Sequence, residues 1–301
     1  MNTQPRQDNA TLGITLVISA MFIFATQDAI TKTLAASYSV PQILWVRFVF
    51  YAVFAMAFSV RKKPFRDCLK SRAPWLQIAR SLLIVAEIGL FIVAIRYMSL
   101  AEMHALLATF PLMVTEIAAL FLREPVGIRR WTAVFAGFIG VMIILRPGFI
   151  AVQPAAFLAL LTAFMFAGYN VMTRLVSRYD DSETSTVYMA IVGAVVLSFI
   201  GPFYWQTPSL SDWGWLMCLS ITAATGHFLL IKALEAAPAS ILQPFNYTLL
   251  VFATVIGYLF FDSLPDFWTV VGASVIVASG LYTIYRERIR KPVPPIIGTT
   301  P

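Results

Sequence analysis

The sequence predicts an all-α polytopic membrane protein whose ten transmembrane helices form two inverted five-helix repeats. The first observation is composition: of 301 residues, 59% are hydrophobic and 12% are charged, and the mean hydropathy is +0.78. So few polar side chains cannot cover the surface of a water-soluble globule. The second is that the apolar residues form long runs without the alternation of a transmembrane β-barrel, which favours helical spans. The third is an internal repeat that relates the two halves of the chain.

Ten apolar runs, each bounded by charged residues, proline or glycine, are predicted to cross ~30 Å of hydrocarbon as helices. They lie at 12–35, 41–60, 75–96, 100–122, 129–146, 154–177, 185–205, 212–233, 238–261 and 267–285. The connections are short and leave almost no room for a soluble domain. The predicted divisions of the chain are a tail (1–11), a first repeat (12–146), a second repeat (154–285) and a second tail (286–301).

Lysine and arginine residues are concentrated on one side of the predicted membrane. With the N-terminus inside, the basic loop at 61–73 and the tail from Arg286 both fall on the cytoplasmic side, where positive loops are usual. The sequence therefore predicts an inner-membrane protein with both termini in the cytoplasm. The net charge of +7 is explained by this distribution, so no nucleic-acid partner is expected. The polar start MNTQPRQDNA does not resemble a signal peptide, so the first span is expected to be retained.

The segment FATQDAITKTLA at 24–35 has a near-copy, FAGYNVMTRLVS, at 166–177. A shift of 136 positions also relates the third and fourth spans to the eighth and ninth, since it aligns Arg96 with Lys232. Because each half has an odd number of spans, the halves cross the membrane in opposite directions. Such inverted repeats are typical of secondary transporters, whose halves open alternately to either side. A shift of 142 positions aligns Phe24 with Phe166, Asp28 with Asn170, Thr31 with Thr173 and Lys32 with Arg174.

Several motifs carry a resemblance to a known family: MFIFATQDAITK, LWVRF, IRYMSLAEMHALLATFPL, FLREP and TGHFLLIKALEAAPASILQPFNYTLL. With them the chain, over residues 11–286, resembles the EamA branch of the drug/metabolite transporter superfamily. The resemblance implies two EamA repeats of five helices, cytoplasmic termini, and a central cavity lined mainly by helices 1, 3, 4, 6, 8 and 9. It implies no single substrate, because members carry amino acids, nucleotide sugars, riboflavin, S-adenosylmethionine and other metabolites, some inward and some outward.

Ionisable residues inside the spans are costly, on the order of 3 kcal/mol for a charge at the bilayer centre, so they mark sites or pairs. Asp28 and Arg47 lie at matching depths in adjacent spans and are predicted to pair. Arg80 and Glu116 are predicted to form a second pair on the same grounds. Either pair could hold helices together or form a gate or substrate contact. Glu87, near the middle of the third span, has no base at matching depth, so it could carry a coupling proton, face a cationic substrate group, or simply donate a hydrogen bond.

Proline residues are predicted to interrupt the fourth and ninth spans. Pro244 lacks the backbone N–H that a helix interior needs, and Pro111 follows Thr109 in the same manner. Paired interruptions in corresponding helices are the best sequence indication of a transporter site, although a kink used only for packing is the alternative. The polar residues beside the second interruption are candidate substrate contacts: Gln243, Asn246 and Tyr247.

The remaining candidate site residues are Tyr169 and Asn170, which lie in the repeated motif, and His227 in the eighth span. His227 is predicted to line the cavity or to be structural rather than to relay protons. His104 is expected to be interfacial. The glycines of the fifth and tenth spans indicate close packing on a scaffold or dimer surface: Gly137, Gly140, Gly272 and Gly280.

These observations predict a secondary transporter of a small polar organic metabolite, working by alternating access and coupled to protons or to exchange. The alternatives are an intramembrane enzyme and a channel, but the sequence contains no HExxH, GxSxG or P-loop motif. No catalytic residue, metal or cofactor is expected. The expected partners are a small-molecule substrate and the lipid bilayer, and a homodimer is left open. Substrate alternatives are an amino acid, riboflavin, S-adenosylmethionine or another cationic metabolite.

Overall fold

The computed structural model describes residues 9–59, 64–122, 128–146, 154–237 and 239–289. Within these ranges the chain forms α-helices joined by short connections, with one 3-10 turn at Gly201–Tyr204. The α-helices are α1 (Ala10–Ala35), α2 (Val40–Ser59), α3 (Phe65–Cys68), α4 (Pro74–Ile95), α5 (Leu100–Leu107), α6 (Phe110–Leu122), α7 (Ile128–Leu145), α8 (Pro154–Val176), α9 (Ser182–Ser198), α10 (Leu210–Ala236), α11 (Ala239–Asn246), α12 (Thr248–Phe261) and α13 (Phe267–Ile289).

Six helical segments are long and apolar enough to cross a membrane, so the chain is a helical, multi-pass membrane protein. They are Ala10–Ala35, Val40–Ala57, Pro74–Ile95, Pro154–Val176, Leu210–Ala236 and Pro244–Phe261. Shorter apolar helices occupy the other four predicted spans: Leu100–Val114, Val134–Leu145, Ser182–Ser198 and Phe267–Tyr282. The count of ten spans therefore stays a prediction.

Several helix starts carry the polar side chains that satisfy exposed backbone N–H groups. The Asn9 side chain accepts a hydrogen bond from the backbone N–H of Leu12 at 3.0 Å and so caps α1. Ser99 and Glu102 form a reciprocal capping box at the start of α5. Asp181 caps α9 in the same way as Asn9 caps α1. These local signals explain why the apolar runs begin as helices where they do.

Both predicted helix interruptions are present. The fourth predicted span is divided into α5 and α6 at Ala108 and Thr109, and the ninth into α11 and α12 at Tyr247. Pro111 cannot donate a backbone hydrogen bond to the turn before it, and Pro244 has the same defect in α11. The shift of 136 positions aligns Ala108 with Pro244, so the two interruptions fall within one turn of each other in the two halves.

The two halves pack tightly against one another. α1 packs against α10 and α12, α2 against α9, and α4 against α8 and α9. α7 and α13 form a separate pair in which a Cβ added to Gly140 would lie 2.7 Å from the carbonyl oxygen of Gly272. Of the glycines predicted to mark close packing, Gly140 and Gly272 join these two helices to each other, whereas Gly280 lies against Tyr247.

The first helices of the two halves run in opposite directions. α1 ends beside the connection that follows α4, where Lys32 Nζ donates to the carbonyl oxygen of Met98 at 2.6 Å. α8 ends at the opposite end of α4, since Gln77 Nε2 in the first turn of α4 donates to Asp180 Oδ2 at 2.9 Å. We call the end of the bundle at which α1 begins the near face, and the end at which α1 finishes the far face.

One contact recurs in both halves at opposite faces. Arg174 donates to the carbonyl oxygen of Leu234 at 2.9 Å near the end of α8, as Lys32 donates to Met98 near the end of α1. The shift of 142 positions aligns Lys32 with Arg174, and the shift of 136 aligns Met98 with Leu234. The sequence repeat thus corresponds to a repeated three-dimensional contact.

Candidate functional site

A central cavity with an empty volume of about 480 Å³ lies between the two halves of the chain. Residues from α1, α2, α4, α5, α8, α10 and α12 surround it, which matches the helices implied by the family resemblance and adds the second span. Its polar lining is Gln27, Asp28, Thr31, Arg47, Glu87 and His227. Its apolar lining is Phe24, Ile88, Phe91, Ile92, Leu107, Phe166 and Leu249.

Helical periodicity explains why α1 supplies so much of this lining. Phe24, Gln27, Asp28 and Thr31 are spaced by three or four residues and therefore share one helix face. The Oε1 atom of Gln27 is buried and has no hydrogen-bond partner among the described residues. The cavity therefore has a hydrogen-bond acceptor free to meet a bound molecule.

Arg47 is the permanent cation of the central cavity. It interacts electrostatically with both Asp28 and Glu87, and its guanidinium lies 3.2 Å from Nε2 of His227. A guanidinium can only donate hydrogen bonds, so Nε2 of His227 is the acceptor and the imidazole carries its proton on Nδ1. His227 is thereby held neutral beside Arg47.

The predicted Asp28–Arg47 ion pair is not formed within 4 Å in the described part of the chain. Oδ2 of Asp28 lies instead 3.2 Å from Nε2 of His104. His104, which was expected to be interfacial, is buried inside the protein, with an exposed fraction of 2%. Depth along a span identifies groups at one level of the membrane but does not identify which neighbour they face.

Glu87 lies in the central cavity as predicted from its depth, but the prediction that no base lies near it is wrong. It interacts electrostatically with Arg47 of the neighbouring helix α2 and with Asp28. The long arginine side chain spans the small difference in depth between the two backbones, which a count of residues along each span ignores. Two carboxyl groups thus share one permanent cation.

Arg80 is fully buried, and the predicted ion pair with Glu116 is not found among the contacts of its side chain in the described part of the chain. Its guanidinium donates instead to Gln77 Oε1 at 3.0 Å and, in the second half of the chain, to Tyr169 OH at 3.4 Å and to the carbonyl oxygen of Ser185. These partners are neutral, so the cation is stabilised by hydrogen bonds rather than by a contacting carboxylate.

A polar layer continues from Arg80 to the near face. Gln77 donates to Asp180, which also accepts hydrogen bonds from the Ser71 hydroxyl and, at 2.9 Å, from the backbone N–H of Arg72. We call the chain Arg80, Gln77, Asp180 and Ser71 the near-face layer. Above it, Tyr169 packs against Phe166 and His227, whose side chains line the cavity. The near-face layer and these aromatic rings therefore lie on the near-face side of the cavity.

Polar contacts between the halves are also present at the far face. Tyr38 OH donates to Asp212 Oδ2 at 2.7 Å, and the Gln42 side chain exchanges two hydrogen bonds with the backbone of Gln206 at 2.6 and 2.9 Å. The hydrogen bond to Asp212 raises the pKa of Tyr38 above its ordinary value of 10.0. This far-face layer therefore has its phenol protonated at neutral pH.

A second, smaller cavity of about 190 Å³ lies between the two helix interruptions. Leu107 and Leu249 line both cavities, so the two spaces adjoin. The hydroxyl of Tyr247 is buried there without a partner among the described residues. The full lining is His104, Leu107, Ala108, Phe110, Asn246, Tyr247, Leu249 and Leu250.

The structure divides the predicted site residues among several places. Asp28, Arg47, Glu87 and His227 line the central cavity, and Asn246 and Tyr247 line the second cavity. Thr109 donates to the carbonyl oxygen of Leu106, Asn170 donates to that of Phe166, and Tyr169 lies beneath the cavity. The side chain of Gln243 lies outside the described residues. As site residues, all ten stay predictions.

Sequence reasoning missed His104, Gln27 and Thr31. The signal for Gln27 and Thr31 was their spacing from Asp28 on one helix face. The signal for His104 was its position one turn before the interruption in the fourth span. In the part of the chain that the structure describes, no three His, Cys, Asp or Glu side chains are grouped as a metal ion requires.

Comparisons with known proteins match nearly the whole chain. The model of the EamA-like transporter family matches residues 11–146 and 153–285. The S-adenosylmethionine uptake transporter of Rickettsia bellii is 26% identical over 277 residues, which cover 92% of this chain and 94% of that protein. The riboflavin transporter of Vibrio cholerae is 30% identical over 271 residues, which cover 89% of this chain and 91% of that protein. A crystal structure with 17% sequence identity has a TM-score of 0.63, covers 94% of this chain and 99% of its own, and shares the fold.

Proposed function

The chain belongs to the EamA-like transporter family, and from that premise we propose that it carries a small polar organic metabolite across the cytoplasmic membrane by alternating access. The relatives are named as transporters rather than as enzymes. The observation that carries the proposal is the central cavity, which residues of both halves line, together with the polar contacts between the halves at the near face and at the far face. A carrier needs such a site between two layers that open in turn.

The chemistry of the cavity supports a substrate with at least one positive charge and a flat apolar group. Asp28 and Glu87 can accept from a cation, while Arg47 can hold a carboxylate of the same molecule. Phe24, Phe91 and Phe166 supply aromatic surface. S-adenosylmethionine, the substrate named for the Rickettsia relative, has a sulfonium, an ammonium, a carboxylate and a purine ring.

The substrate is tested by uptake of radiolabelled S-adenosylmethionine into proteoliposomes containing the purified protein. We expect saturable uptake that unlabelled S-adenosylmethionine inhibits about tenfold more strongly than S-adenosylhomocysteine, which lacks the sulfonium charge; this ratio corresponds to about 1.4 kcal/mol. Phe164→Leu, on the exposed surface of α8, is the matched control for reconstitution. If the folded protein and the control variant both show no saturable uptake, S-adenosylmethionine is not the substrate.

Riboflavin is the second candidate, favoured by the 30% identity to the Vibrio relative. A neutral isoalloxazine ring would use the aromatic walls and the free acceptor of Gln27, and it would leave the carboxyl groups without a substrate cation. In the same vesicles, riboflavin uptake that S-adenosylmethionine fails to inhibit would favour this second candidate over the first.

We further propose that ten spans form two inverted repeats, 12–146 and 154–285, with both termini in the cytoplasm. The recurrence of the Lys32–Met98 contact as Arg174–Leu234 at opposite faces supports the inversion. The distribution of lysine and arginine supports the orientation, which places the near face in the cytoplasm.

The orientation is tested by cysteine labelling in a Cys218→Ser background, since Cys68 is buried. Lys70→Cys lies at the near face and Thr207→Cys at the far face, and both side chains are exposed. A membrane-impermeant maleimide should label position 207 in intact cells and position 70 only after permeabilisation. The reverse pattern would exchange the two faces.

A further inference from the structure

Two buried polar atoms of the central cavity have no hydrogen-bond partner among the described residues. They are Oε1 of Gln27 on α1 and Nδ1 of His227 on α10. Both side chains line the cavity, and both residues are more than nine-tenths buried. Because a buried polar atom without a partner destabilises the folded protein, two such atoms in one cavity indicate groups that a bound molecule completes.

The two atoms have opposite hydrogen-bonding roles. Oε1 of Gln27 is a carbonyl oxygen and can only accept a hydrogen bond. The guanidinium of Arg47 donates to Nε2 of His227 at 3.2 Å, so the proton of the neutral imidazole is on Nδ1. Nδ1–H of His227 is therefore a donor. The cavity offers a bound molecule one acceptor and one donor, and neither group is charged.

The acceptor and the donor belong to two helices that pack closely against each other. α1 packs against α10, and Phe24, three residues before Gln27 on the same face of α1, has its ring centroid 5.0 Å from that of His227. A Cβ added to Gly226 would lie 2.7 Å from Cε1 of Phe24, so glycine at this position permits the close approach. Gln27 and His227 are thus held on one rigid wall of the cavity, as a site that reads a single ligand edge requires.

We propose that Gln27 and His227 recognise the edge of a flat heterocycle that carries a hydrogen-bond donor beside an acceptor. Adenine has such an edge, with its 6-amino group beside N1 and N7, and isoalloxazine has one, with N3–H between two carbonyl groups. The donor of the ring meets Oε1 of Gln27, and the acceptor of the ring meets Nδ1–H of His227. This inference rests on the proposed function, because it assigns the ring of the transported molecule to this wall.

The rest of the cavity lining fits this division of the substrate. Phe24 and Phe166 supply apolar surface for the faces of the ring. Asp28, Glu87 and Arg47 stay available for the polar or charged substituents of the same molecule. Proteins that bind an unstacked base combine the same two features, hydrogen bonds to the ring edge and aromatic contacts with its faces. The wall therefore selects the heterocycle, whichever substituents it carries.

The acceptor role of Gln27 is tested by removing the donor from the ligand. Full-length protein in nanodiscs is titrated with S-adenosylmethionine and with riboflavin, and each is compared with an analogue that lacks the donor: purine in place of adenine, and 3-methylriboflavin. The analogue of the bound ligand should bind the wild type about tenfold more weakly, because it leaves Oε1 of Gln27 unpaired, and should bind Gln27→Met within about threefold of its parent. The matched control is Thr26→Val, which removes a neighbouring hydroxyl that donates within α1 and should keep the wild-type ratio.

The donor role of His227 is tested by removing the acceptor from the ligand. The analogues carry 1-deazaadenine or 7-deazaadenine, or a thiocarbonyl at position 2 or 4 of isoalloxazine. One analogue of the bound ligand should bind the wild type about tenfold more weakly than its parent and bind His227→Leu about equally well. His227→Gln can accept from Arg47 and donate to the ligand, so it should restore the preference for the parent. Comparing two ligands within one variant cancels the general effects of the substitution, including any displacement of Arg47.

The outcomes separate this inference from the proposed function. Wild-type ratios in both Gln27→Met and His227→Leu would overturn the inference and leave the transport of the bound ligand standing. A changed ratio in one variant alone would overturn the role of the other residue. Analogues that bind the wild type as tightly as their parents would overturn the inference even if a variant fails to fold. A wild type that binds neither parent would overturn it together with both proposed substrates.

Discussion

At the scale of the residue, the balance of charge in the central cavity depends on Arg47. Its guanidinium interacts with the carboxyl groups of Asp28 and Glu87 and donates to His227, so one side chain serves three polar partners. A buried cation that interacts with two acids loses less stability when one acid is removed than a cation in an isolated ion pair does.

Asp28 and Arg47 should show a modest energetic coupling. In a double-mutant cycle of Asp28→Asn and Arg47→Gln, we expect the double variant to recover about 0.5–1 kcal/mol of the summed losses in stability. The value is small because the two charges interact across the cavity rather than in a direct ion pair. Thermal unfolding in one detergent measures it, and strictly additive losses would contradict the electrostatic contact.

Glu87→Gln should fold normally, because Arg47 remains balanced by Asp28. Affinity for S-adenosylmethionine should fall about 10- to 100-fold, which is the size of one lost charge-assisted contact of ~1.5–3 kcal/mol. Scintillation proximity binding measures this, with Glu235→Gln at the end of α10 as the control. Normal binding combined with lost dependence on the pH gradient would instead place the coupling proton on Glu87.

At the scale of the element, two layers of polar contacts hold the halves together at opposite faces. Asp180 joins the connection after α8 to the start of α4, and Asp212 joins the start of α10 to Tyr38. Because the hydrogen bond to Asp212 raises the pKa of Tyr38 above 10.0, the stabilisation by its neutral phenol is fully present below pH 10.0 wherever Asp212 is ionised, and it is lost as the pH rises through the raised value.

Weakening either layer should favour opening at that face. We expect Asp180→Asn to increase labelling of a Thr31→Cys reporter in the cavity from the near face about fivefold or more, and Asp212→Asn to increase it from the far face. Each variant is the control for the other, in a Cys218→Ser background. Equal labelling from both faces in both variants would mean that these layers do not gate the cavity.

We expect the helix interruptions to lower the stability of the protein and to allow the helix movements that transport requires. Pro111→Ala and Pro244→Ala restore a backbone N–H within α6 and α11, so we expect an unchanged or higher melting temperature together with a lower transport rate. Pro154→Ala, at the first position of α8, where proline is well tolerated, is the control. Unchanged transport rates in both variants would assign the interruptions to packing.

At the scale of the whole molecule, the sequence was most informative where the cause of a feature is local. The interruptions follow from single prolines, and the repeat follows from matched residues such as Lys32 and Arg174. The partners of buried charges depend on which helices become neighbours, and no local pattern fixes that choice. This is why the predicted partner of Arg80 was wrong and why the burial of His104 was missed.

The two halves of this molecule are similar without being equal. Asp28 of the first half is aligned with Asn170, whose side-chain amide donates a hydrogen bond to the carbonyl oxygen of Phe166 in the same helix. Two identical inverted halves would make the states open to either side equal in free energy, and an empty carrier would face each side half of the time. An acid present in one half alone removes that equality, so the resting orientation of the carrier becomes a property that its sequence sets.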